Sequence, residues 1–190
     1  MTDISDQVLI LHGQQGDREA VAQLYRRYAQ AIARYVTYRV PDDAAIEDIT
    51  AEVFLRMIEG LPQYRITGAP FDAWLYRIAA ARIADYYRKQ ARYQEQALPD
   101  EIVDYLTPME LDLLQREELD TLRGAISQLS DEHQAILTLR FVQRKNLAEV
   151  AEILNKSLHA VGSQQHRALK KLAEIMGIEK GRHYLRGESR

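Results

Sequence analysis

Apolar side chains between residues 71 and 93 recur at steps of three and four, and this spacing limits the possible fold more than any other feature of the chain. An α-helix brings residues three and four apart onto the same side, so the repeat forms one apolar stripe. The segment is therefore predicted to be a helix with one face buried in a core. The stripe comprises Phe71, Trp74, Leu75, Ile78, Ala79, Ile83 and Tyr86.

The same helical spacing covers most of the remaining chain, and we find no convincing alternating, β-branched run bounded by turns. The fold class is accordingly predicted to be all-α. Further helices are predicted over about 4–12, 17–40, 44–60, 117–129, 130–141, 146–154 and 157–172.

Capping residues mark where several of these helices begin. Asp17, Ser130 and Ser157 can each accept a hydrogen bond from a backbone amide of a first helical turn. Asn146 and Glu149 have the spacing of a capping box. These positions predict helix N-termini independently of the apolar pattern.

Three further expectations concern individual side chains and glycines. Gly13 and Gly16 are expected to end the first helix. Phe141 is expected to belong to the apolar side of its helix, and either Ile58 or Leu61 is expected to complete the buried side of the helix over 44–60.

The formal net charge of −3 at pH 7 hides an uneven distribution. Residues 77–93 carry +4 and residues 156–190 carry +5, whereas residues 94–120 carry −8. Two basic patches separated by an acidic segment are typical of a protein that contacts nucleic acid twice. With no cysteine, no cationic leader and no long apolar run at the start, the chain is expected to lack disulfides, a signal peptide and membrane insertion, and to be cytoplasmic.

The first basic patch also contains tyrosines, among them Tyr86, Tyr87 and Tyr93. Lysine and arginine neutralise phosphates, and tyrosine rings offer faces on which unstacked bases can lie. This combination favours single-stranded nucleic acid over duplex. A solvated basic face with core tyrosines is the alternative that this window leaves open.

Residues 146–172 contain two short helical patterns separated by a turn of three or four residues. Asn155 suits the turn because asparagine tolerates the left-handed backbone region. The pattern predicts a helix-turn-helix that binds nucleic acid, with a helix pair that only packs as the alternative. Polar and basic residues on or near the second helix are His159, Gln164, Gln165, His166, Arg167, Lys170 and Lys171.

The segment between the two basic patches loses its helical periodicity. Residues 94–116 contain Pro99 and Pro108 among many acidic side chains, which predicts an extended acidic linker. A plain spacer and a specific role both remain open for it. Residues 177–190 are basic and contain glycine, which predicts a disordered tail.

Five stretches of the chain, taken in order, resemble the extracytoplasmic-function group of bacterial sigma factors in the sigma-seventy superfamily. The resemblance covers most of the sequence. The stretches are GDREAVAQLYRRY at 16–28, IEDITAEVFLRM at 46–57, GAPFDAWLYRIA at 68–79 with ADYYRK at 84–89, LSDEHQAILTLRF at 129–141, and AEVAEILNKSLHAV with HRALKKL at 148–172.

The resemblance implies two small helical domains. Residues 1–93 would form the sigma region 2 helical bundle, and residues 117–176 the sigma region 4 helix-turn-helix. The acidic linker would join them, and the basic tail would follow. The family implies a promoter-specificity subunit without catalysis of its own, which binds core RNA polymerase and promoter DNA, with an anti-sigma factor as a further partner.

The resemblance also implies three sets of site residues. Core polymerase would contact Glu47, Asp48, Glu52 and Phe54. The melted minus-ten element would contact Trp74, Tyr76, Arg77, Tyr86, Arg88, Lys89 and Arg92. The minus-thirty-five duplex would contact Ser157, His159, Ser163, Gln164, His166, Arg167 and Lys170.

The chain departs from many members of the family at positions that concern base contacts. Ala81 stands where many members have asparagine, and Ala160, Gly162, Gln164 and Gln165 stand where many have threonine, lysine, arginine and leucine. A glutamine at 164 suits the donor and acceptor pattern of adenine, whereas an arginine would favour guanine.

Other classes of function are less compatible with the residues. A helix-turn-helix regulator acting without core polymerase leaves the basic, tyrosine-bearing helix unexplained. A helical interaction module would keep the helix-turn-helix only as packing and the +4 segment as plain surface, and the match of five stretches argues against it. The carboxylates Glu47, Asp48 and Glu52 have no nucleophile, glycine-rich phosphate loop or metal-binding histidine pair beside them, so an enzyme is not expected. His159 and His166 are expected to be surface or phosphate-contacting residues, and no metal or cofactor is assigned.

Overall fold

The computed structural model describes residues 4–96 and 113–177. Within these ranges the chain is helical and has no strand, which confirms the all-α prediction. Linker residues 97–112 and tail residues 178–190 lie outside the described part. Residues 94–96 and 113–116, which were expected to belong to the extended linker, are helical.

Among the described residues, four helices form the N-terminal domain, and four more with a π-helical turn form the C-terminal domain. In the first domain a 3-10 turn at Leu61–Gln63 follows the third helix. The N-terminal helices are α1 (Asp6–Gln14), α2 (Arg18–Thr37), α3 (Asp43–Gly60) and α4 (Phe71–Gln96). The C-terminal elements are α5 (Leu113–Ser127), α6 (Asp131–Leu137), the π-turn (Thr138–Val142), α7 (Leu147–Leu154) and α8 (Leu158–Ile175).

The predicted caps are present. Asp17, Ser130 and Ser157 each accept from a backbone amide of the helix that follows. Asn146 and Glu149 form a complete capping box at the start of α7. Because these bonds join residues only two or three apart, the local sequence was sufficient to predict them.

The turn of the helix-turn-helix lies between α7 and α8. Asn155 adopts the left-handed conformation there, with φ 52° and ψ 49°. Its backbone amide and that of Lys156 donate to carbonyls of the last turn of α7, which ends the helix. The prediction of a helix-turn-helix over 146–172 is confirmed in its geometry.

The first helix ends at Gln14, between the two glycines that were expected to end it. Gly13 is the next-to-last residue of α1, where an added Cβ would lie 2.7 Å from Leu61 Cδ2, and Gly16, with φ 89°, lies just beyond the helix. The expectation for Phe141 was wrong. Phe141 is 55% exposed, because it lies in the π-turn, whose wider repeat removes it from the apolar side of α6. Of the two alternatives for α3, Leu61 is buried and Ile58 is exposed.

Candidate nucleic-acid interface

The apolar stripe of α4 is buried, and the basic side of that helix therefore faces solvent. Leu75, Ala79 and Ile83 are fully buried against the N-terminal domain. This burial leaves the opposite side of the helix accessible, as expected for an amphipathic helix. The exposed cations on α4 are Arg77, Arg88, Lys89 and Arg92.

A groove of about 710 Å³ runs between α3 and the C-terminal half of α4. The α3 side contributes carboxylates, including Asp48 and Glu52, and the α4 side contributes Arg88, Lys89 and Arg92. Residues predicted to contact polymerase and residues predicted to contact DNA therefore face each other across one groove. The sequence could not show this, because the two sets lie on separate helices.

Asp85 forms ion pairs with two arginines that line the groove. Arg82 Nη2 lies 2.6 Å from Asp85 Oδ2, and Arg88 pairs with the other carboxylate oxygen. The hydrogen bond from Arg88 is the main reason that the pKa of Asp85 is lowered. The sequence analysis did not include Arg82 and Asp85 among the site residues. Their spacing could have indicated the ion pairs, because Arg82, Asp85 and Arg88 follow one another three residues apart on one helix.

The aromatic residues predicted for the minus-ten element differ in accessibility. Tyr86 is half-buried, with its ring 5.2 Å from that of Tyr87 and its hydroxyl accepting from Gln90 at 2.7 Å. Trp74 is also half-buried and lies 4.7 Å from the ring of Tyr64. Tyr76 is only 2% exposed, so in this arrangement its ring is not available for stacking.

The recognition helix α8 presents a row of polar and basic side chains on one face. His159, Ser163, His166 and Lys170 follow one another at steps of three and four, with Arg167 beside them, and all except the half-buried Ser163 are exposed. Among the described residues, no carboxylate pairs with Arg167 or Lys170. Both cations are therefore accessible to phosphates. Ser157, also in the predicted set, is exposed and caps the helix by accepting from the amide of Ala160 at 3.2 Å.

Two glutamines of α8 lie away from this exposed row. Gln164 Oε1 is 2.9 Å from His133 Nε2, and Gln165 Oε1 accepts from Arg140 Nε at 2.8 Å. Both glutamines are half-buried. Since one polar atom of Gln164 is already engaged by α6, a bidentate contact to adenine requires that the bond to His133 be released.

The residues predicted to meet core polymerase lie in α3 with different exposures. Glu47 and Asp48 are exposed, whereas Glu52 is half-buried and accepts from Arg56 Nε at 2.8 Å. Phe54 is 4% exposed and packs edge-on against Tyr25, with ring centroids 4.8 Å apart.

Sequence reasoning missed two apolar side chains on the same helix. Leu55 and Ile58 are both exposed. Exposed apolar side chains beside acidic ones on a helix mark a possible contact surface for another protein. Their helical spacing from Asp48 was the signal that could have identified them.

The described residues contain no group of three or more histidine, aspartate or glutamate side chains placed to hold a metal ion. Within the same ranges, every helix is too short or too polar to cross a membrane.

Two family models match the chain, one in each domain. The model of Sigma-70 region 2 matches residues 24–93, and that of Sigma-70, region 4 matches residues 125–178. The first therefore includes the α3–α4 groove, and the second includes the helix-turn-helix.

Several curated proteins are similar over both domains. The ECF RNA polymerase sigma factor BldN of Streptomyces coelicolor is 32% identical over 88% of this chain, which spans 64% of the length of BldN. The RNA polymerase sigma factor YlaC of Bacillus subtilis is 31% identical over 84% of this chain and 93% of its own length. The ECF RNA polymerase sigma factor SigD of Mycobacterium tuberculosis is 30% identical over 84% of this chain and 78% of its own.

Solved structures share the fold. CnrH, in complex with the cytosolic domain of CnrY, is 22% identical with a TM-score of 0.69, covering 92% of this chain and 98% of CnrH. The sigma factor RpoE of Bartonella quintana, in complex with the anti-sigma factor NepR, is 15% identical with a TM-score of 0.63, covering 84% of this chain and 98% of RpoE.

Proposed function

Because the chain belongs to the extracytoplasmic-function group of RNA polymerase sigma factors, we propose that it binds core RNA polymerase in the cytoplasm and directs it to promoters. The observation that carries this proposal is the match of both sigma regions in one chain, each with a basic surface on its own helix. In this proposal the polymerase forms the phosphodiester bonds, and the chain catalyses no reaction itself.

The polymerase contact is assigned to the exposed side of α3. Successive helical residues are separated by about 100°, which places Glu47, Asp48, Leu55 and Ile58 on one side of the helix. Acidic groups around apolar side chains suit a partner surface that is basic and apolar. Phe54 supports this side from within, through its packing on Tyr25.

The melted minus-ten strand is assigned to the α4 side of the groove. Arg77, Arg88, Lys89 and Arg92 would neutralise phosphates there, and the accessible face of Tyr86 would stack on a base. Trp74 would border the same surface. Tyr76 would take part only after the side chains that cover it have moved.

The minus-thirty-five duplex is assigned to the exposed row of α8, inserted in the major groove. His159, His166, Arg167 and Lys170 lie where they can reach phosphates or base edges. Ser157 and Ser163 flank them, and Gln164 contributes to base reading only after its contact with His133 is exchanged for one with DNA.

An anti-sigma factor is proposed as a further partner. The support is indirect: RpoE, which has the same fold, was solved with an anti-sigma factor. A helix-turn-helix regulator acting without polymerase is not favoured, because the region 2 match and the α3–α4 groove have no role in it.

Reconstitution tests the proposal. Purified chain is added to core polymerase and genomic DNA, and transcripts are mapped at their 5′ ends. Promoter-specific transcripts that require the chain are expected. A folded chain that neither binds core polymerase nor changes its transcripts would rule the proposal out.

A pair of variants tests the polymerase contact on α3. Glu47→Lys with Asp48→Lys should lower affinity for core polymerase at least tenfold, because the rate of association and the orientation of the partners depend on complementary charge. These two residues are chosen because Glu52 also holds Arg56. Asp120→Lys with Glu152→Lys, which makes the same change of net charge on exposed acids of α5 and α7, is the control. Equal affinity of the two double variants would contradict the assignment.

A further inference from the structure

A hydrogen bond between α6 and α8 lies beside the exposed row of the recognition helix. It joins His133 to Gln164, which is half-buried. Gln164 and Arg167 are three residues apart, so at about 100° per residue their side chains leave α8 about 60° apart. Ala168, one turn further along, is buried in a cluster with Leu137 of α6. Gln164 therefore lies at the border between the exposed row and the side of α8 that packs on α6.

The bond to His133 uses an atom that Gln164 needs for reading adenine. Its Oε1 lies 2.9 Å from His133 Nε2, and because an amide oxygen only accepts, the ring nitrogen carries the hydrogen. A glutamine that pairs with adenine donates from its Nε2 to the base N7 and accepts at Oε1 from the N6 amino group. With Oε1 turned toward α6, the amide does not present this edge to the side of α8 that carries the exposed row.

His133 is held in place by its own helix. Its backbone amide donates at 3.4 Å to Ser130 Oγ, the cap that begins α6. Residues 134–137, which follow it in α6, are buried. The ring therefore comes from a helix that is packed in the domain, whereas Gln164 has a long unbranched side chain. Gln164 is the partner that can move.

The neighbouring glutamine of α8 has a different environment. Gln165 Oε1 accepts from Arg140 Nε at 2.8 Å. Val161 and Ala168, one turn before and one turn after Gln165, are fully buried, so Gln165 lies on the core side of α8. Of the two glutamines, only Gln164 lies close enough to the exposed row to exchange a protein partner for a base.

Gln164 has room to turn toward the exposed row. Ala160, one turn earlier in α8, has a short side chain, and Arg167 folds back so that its Nε donates to the Ser163 carbonyl at 3.4 Å. Gln164 also lies in the second turn of α8, within the N-terminal part that contacts base edges in helix-turn-helix proteins. Its amide can therefore bind either His133 or the edge of an adenine, but not both.

We propose that His133 is a positioning residue that competes with DNA for Gln164. The bond thereby weakens the preference for adenine at the base pair that Gln164 reads, which rests on the proposed assignment of α8 to the upstream duplex. Only molecules in which the bond to His133 is open can form the bidentate pair, so affinity for an adenine site falls by the open fraction. Sites with other bases do not use that pair and lose nothing. One intramolecular hydrogen bond should therefore reduce the preference about two- to tenfold.

The contact itself is measured in the free chain, without polymerase or DNA. A ring hydrogen of His133 that is held by Gln164 should exchange slowly with water and give its own proton NMR signal, identified by its absence from His133→Phe. Gln164→Ala should speed this exchange about two- to tenfold. Equal exchange in the unaltered chain and in Gln164→Ala would overturn the contact.

Base preference is measured with the full chain bound to core polymerase. Promoters found by mapping transcripts define the upstream element, and templates with each of the four bases at every position of that element are competed. The position that Gln164 reads is the one at which Gln164→Ala changes the preference. His133→Phe, which keeps a ring but has no donor, should raise the preference for adenine there about two- to tenfold.

Further variants separate competition from a general effect. His133→Gln, whose Nε2 can donate to Gln164, should keep the preference of the unaltered chain. Glu132→Gln, which breaks an ion pair between the adjacent residue of α6 and Lys156, should also leave it unchanged. His133→Phe with Gln164→Ala should show the preference of Gln164→Ala alone, because no glutamine remains to be released. Circular dichroism verifies that each variant is folded, and His133→Ala, which also lacks a donor, replaces His133→Phe if that variant is not.

The preference of His133→Phe decides between competition and its alternatives. A stronger preference for adenine that is absent from His133→Gln supports competition. An unchanged preference would overturn it, since loss of a phosphate contact changes the affinity for all templates alike. A weaker preference would also overturn it, because His133 would then hold Gln164 in the reading position.

Two other results concern Gln164 and the chain as a whole. If Gln164→Ala alters the preference at no position, Gln164 does not read sequence and the proposal is overturned. If the unaltered chain gives no promoter-specific transcripts, the proposed function is overturned instead, and the exchange measurement still decides whether His133 holds Gln164.

Discussion

The groove side of α4 and the exposed row of α8 carry similar cations in different electrostatic settings. On α4, Arg82 and Arg88 both pair with Asp85. On α8, Arg167 Nε donates only to the carbonyl of Ser163 in its own helix, and no carboxylate of the described residues pairs with Lys170.

This difference indicates that the cations of α4 and those of α8 would bind DNA in different ways. On α4, the carboxylate of Asp85 holds Arg82 and Arg88 beside an aromatic surface, which suits the positioning of a single strand whose bases must be stacked. Arg167 and Lys170 of α8 have no carboxylate partner among the described residues and can release counterions fully when they meet phosphates. Asp85 should therefore reduce the net electrostatic gain when the α4 surface binds phosphates, and no carboxylate in the described part of the chain does the same for Arg167 and Lys170 of α8.

The largest expected effect tests whether the two domains that carry these surfaces unfold as one cooperative unit. Leu75→Ala and Leu139→Ala, one in each domain, should each lower the free energy of unfolding by about 2 to 5 kcal/mol, because both side chains are buried in the same apolar cluster. Urea unfolding is followed by Trp74 fluorescence and by far-ultraviolet circular dichroism. Since one apolar cluster runs through both domains, the two signals should change together, and separate transitions would show that the domains unfold independently.

The next effect concerns stacking, which is expected on α4 and not on α8. Tyr86→Ala should weaken open-complex formation by about 1 to 3 kcal/mol, the usual loss for one stacked base. Permanganate footprinting of the melted strand measures it. Tyr86→Phe is the matched control because it keeps the ring and loses only the hydroxyl that accepts from Gln90. If the phenylalanine variant loses as much as the alanine variant, stacking is not the reason.

The salt dependence of DNA binding tests whether pairing with Asp85 changes how an α4 arginine binds phosphate, compared with an arginine of α8. Arg167→Ala should reduce the slope of log affinity against log salt by about one unit on duplex carrying the upstream element. Arg88→Ala should reduce the corresponding slope for single-stranded DNA by less, because Arg88 must first leave Asp85. The same change of slope for both variants would show that the pairing with Asp85 has no effect on phosphate binding.

The smallest effect is the acid sensitivity of the C-terminal domain. The pKa of Glu149 is lowered, mainly by its bond from the Asn146 backbone amide and also by Lys145. A carboxylate with a lowered pKa stabilises the folded state above its usual pKa of 4.5, and this stability is lost as pH falls through the lower folded value. Glu149→Gln should therefore cost about 0.3 to 1 kcal/mol at pH 7 and little at pH 3. Thermal unfolding between pH 3 and 7 measures this, and a constant difference across that range would contradict the assignment.

Within the described residues, the sequence by itself determined most of the local structure. Helix starts at Asp17, Ser130 and Ser157 and the turn at Asn155 depend on bonds between residues a few positions apart. The buried stripe of α4 depends only on helical spacing. Such features can be read from neighbouring residues, because capping and periodicity act over one or two helical turns.

Tertiary structure decided which of the predicted site residues are accessible. Tyr76 and Gln143 are 67 residues apart, and Ala31 and Gln143 are 112 apart, yet both pairs are hydrogen-bonded. The sequence identified Tyr76 as an aromatic in a basic segment but not as a buried residue bonded to the C-terminal domain. Gln164 was similarly identified on α8, and only the packing of α6 shows that His133 engages it. Contacts of this kind depend on how whole helices pack, which short-range patterns do not encode.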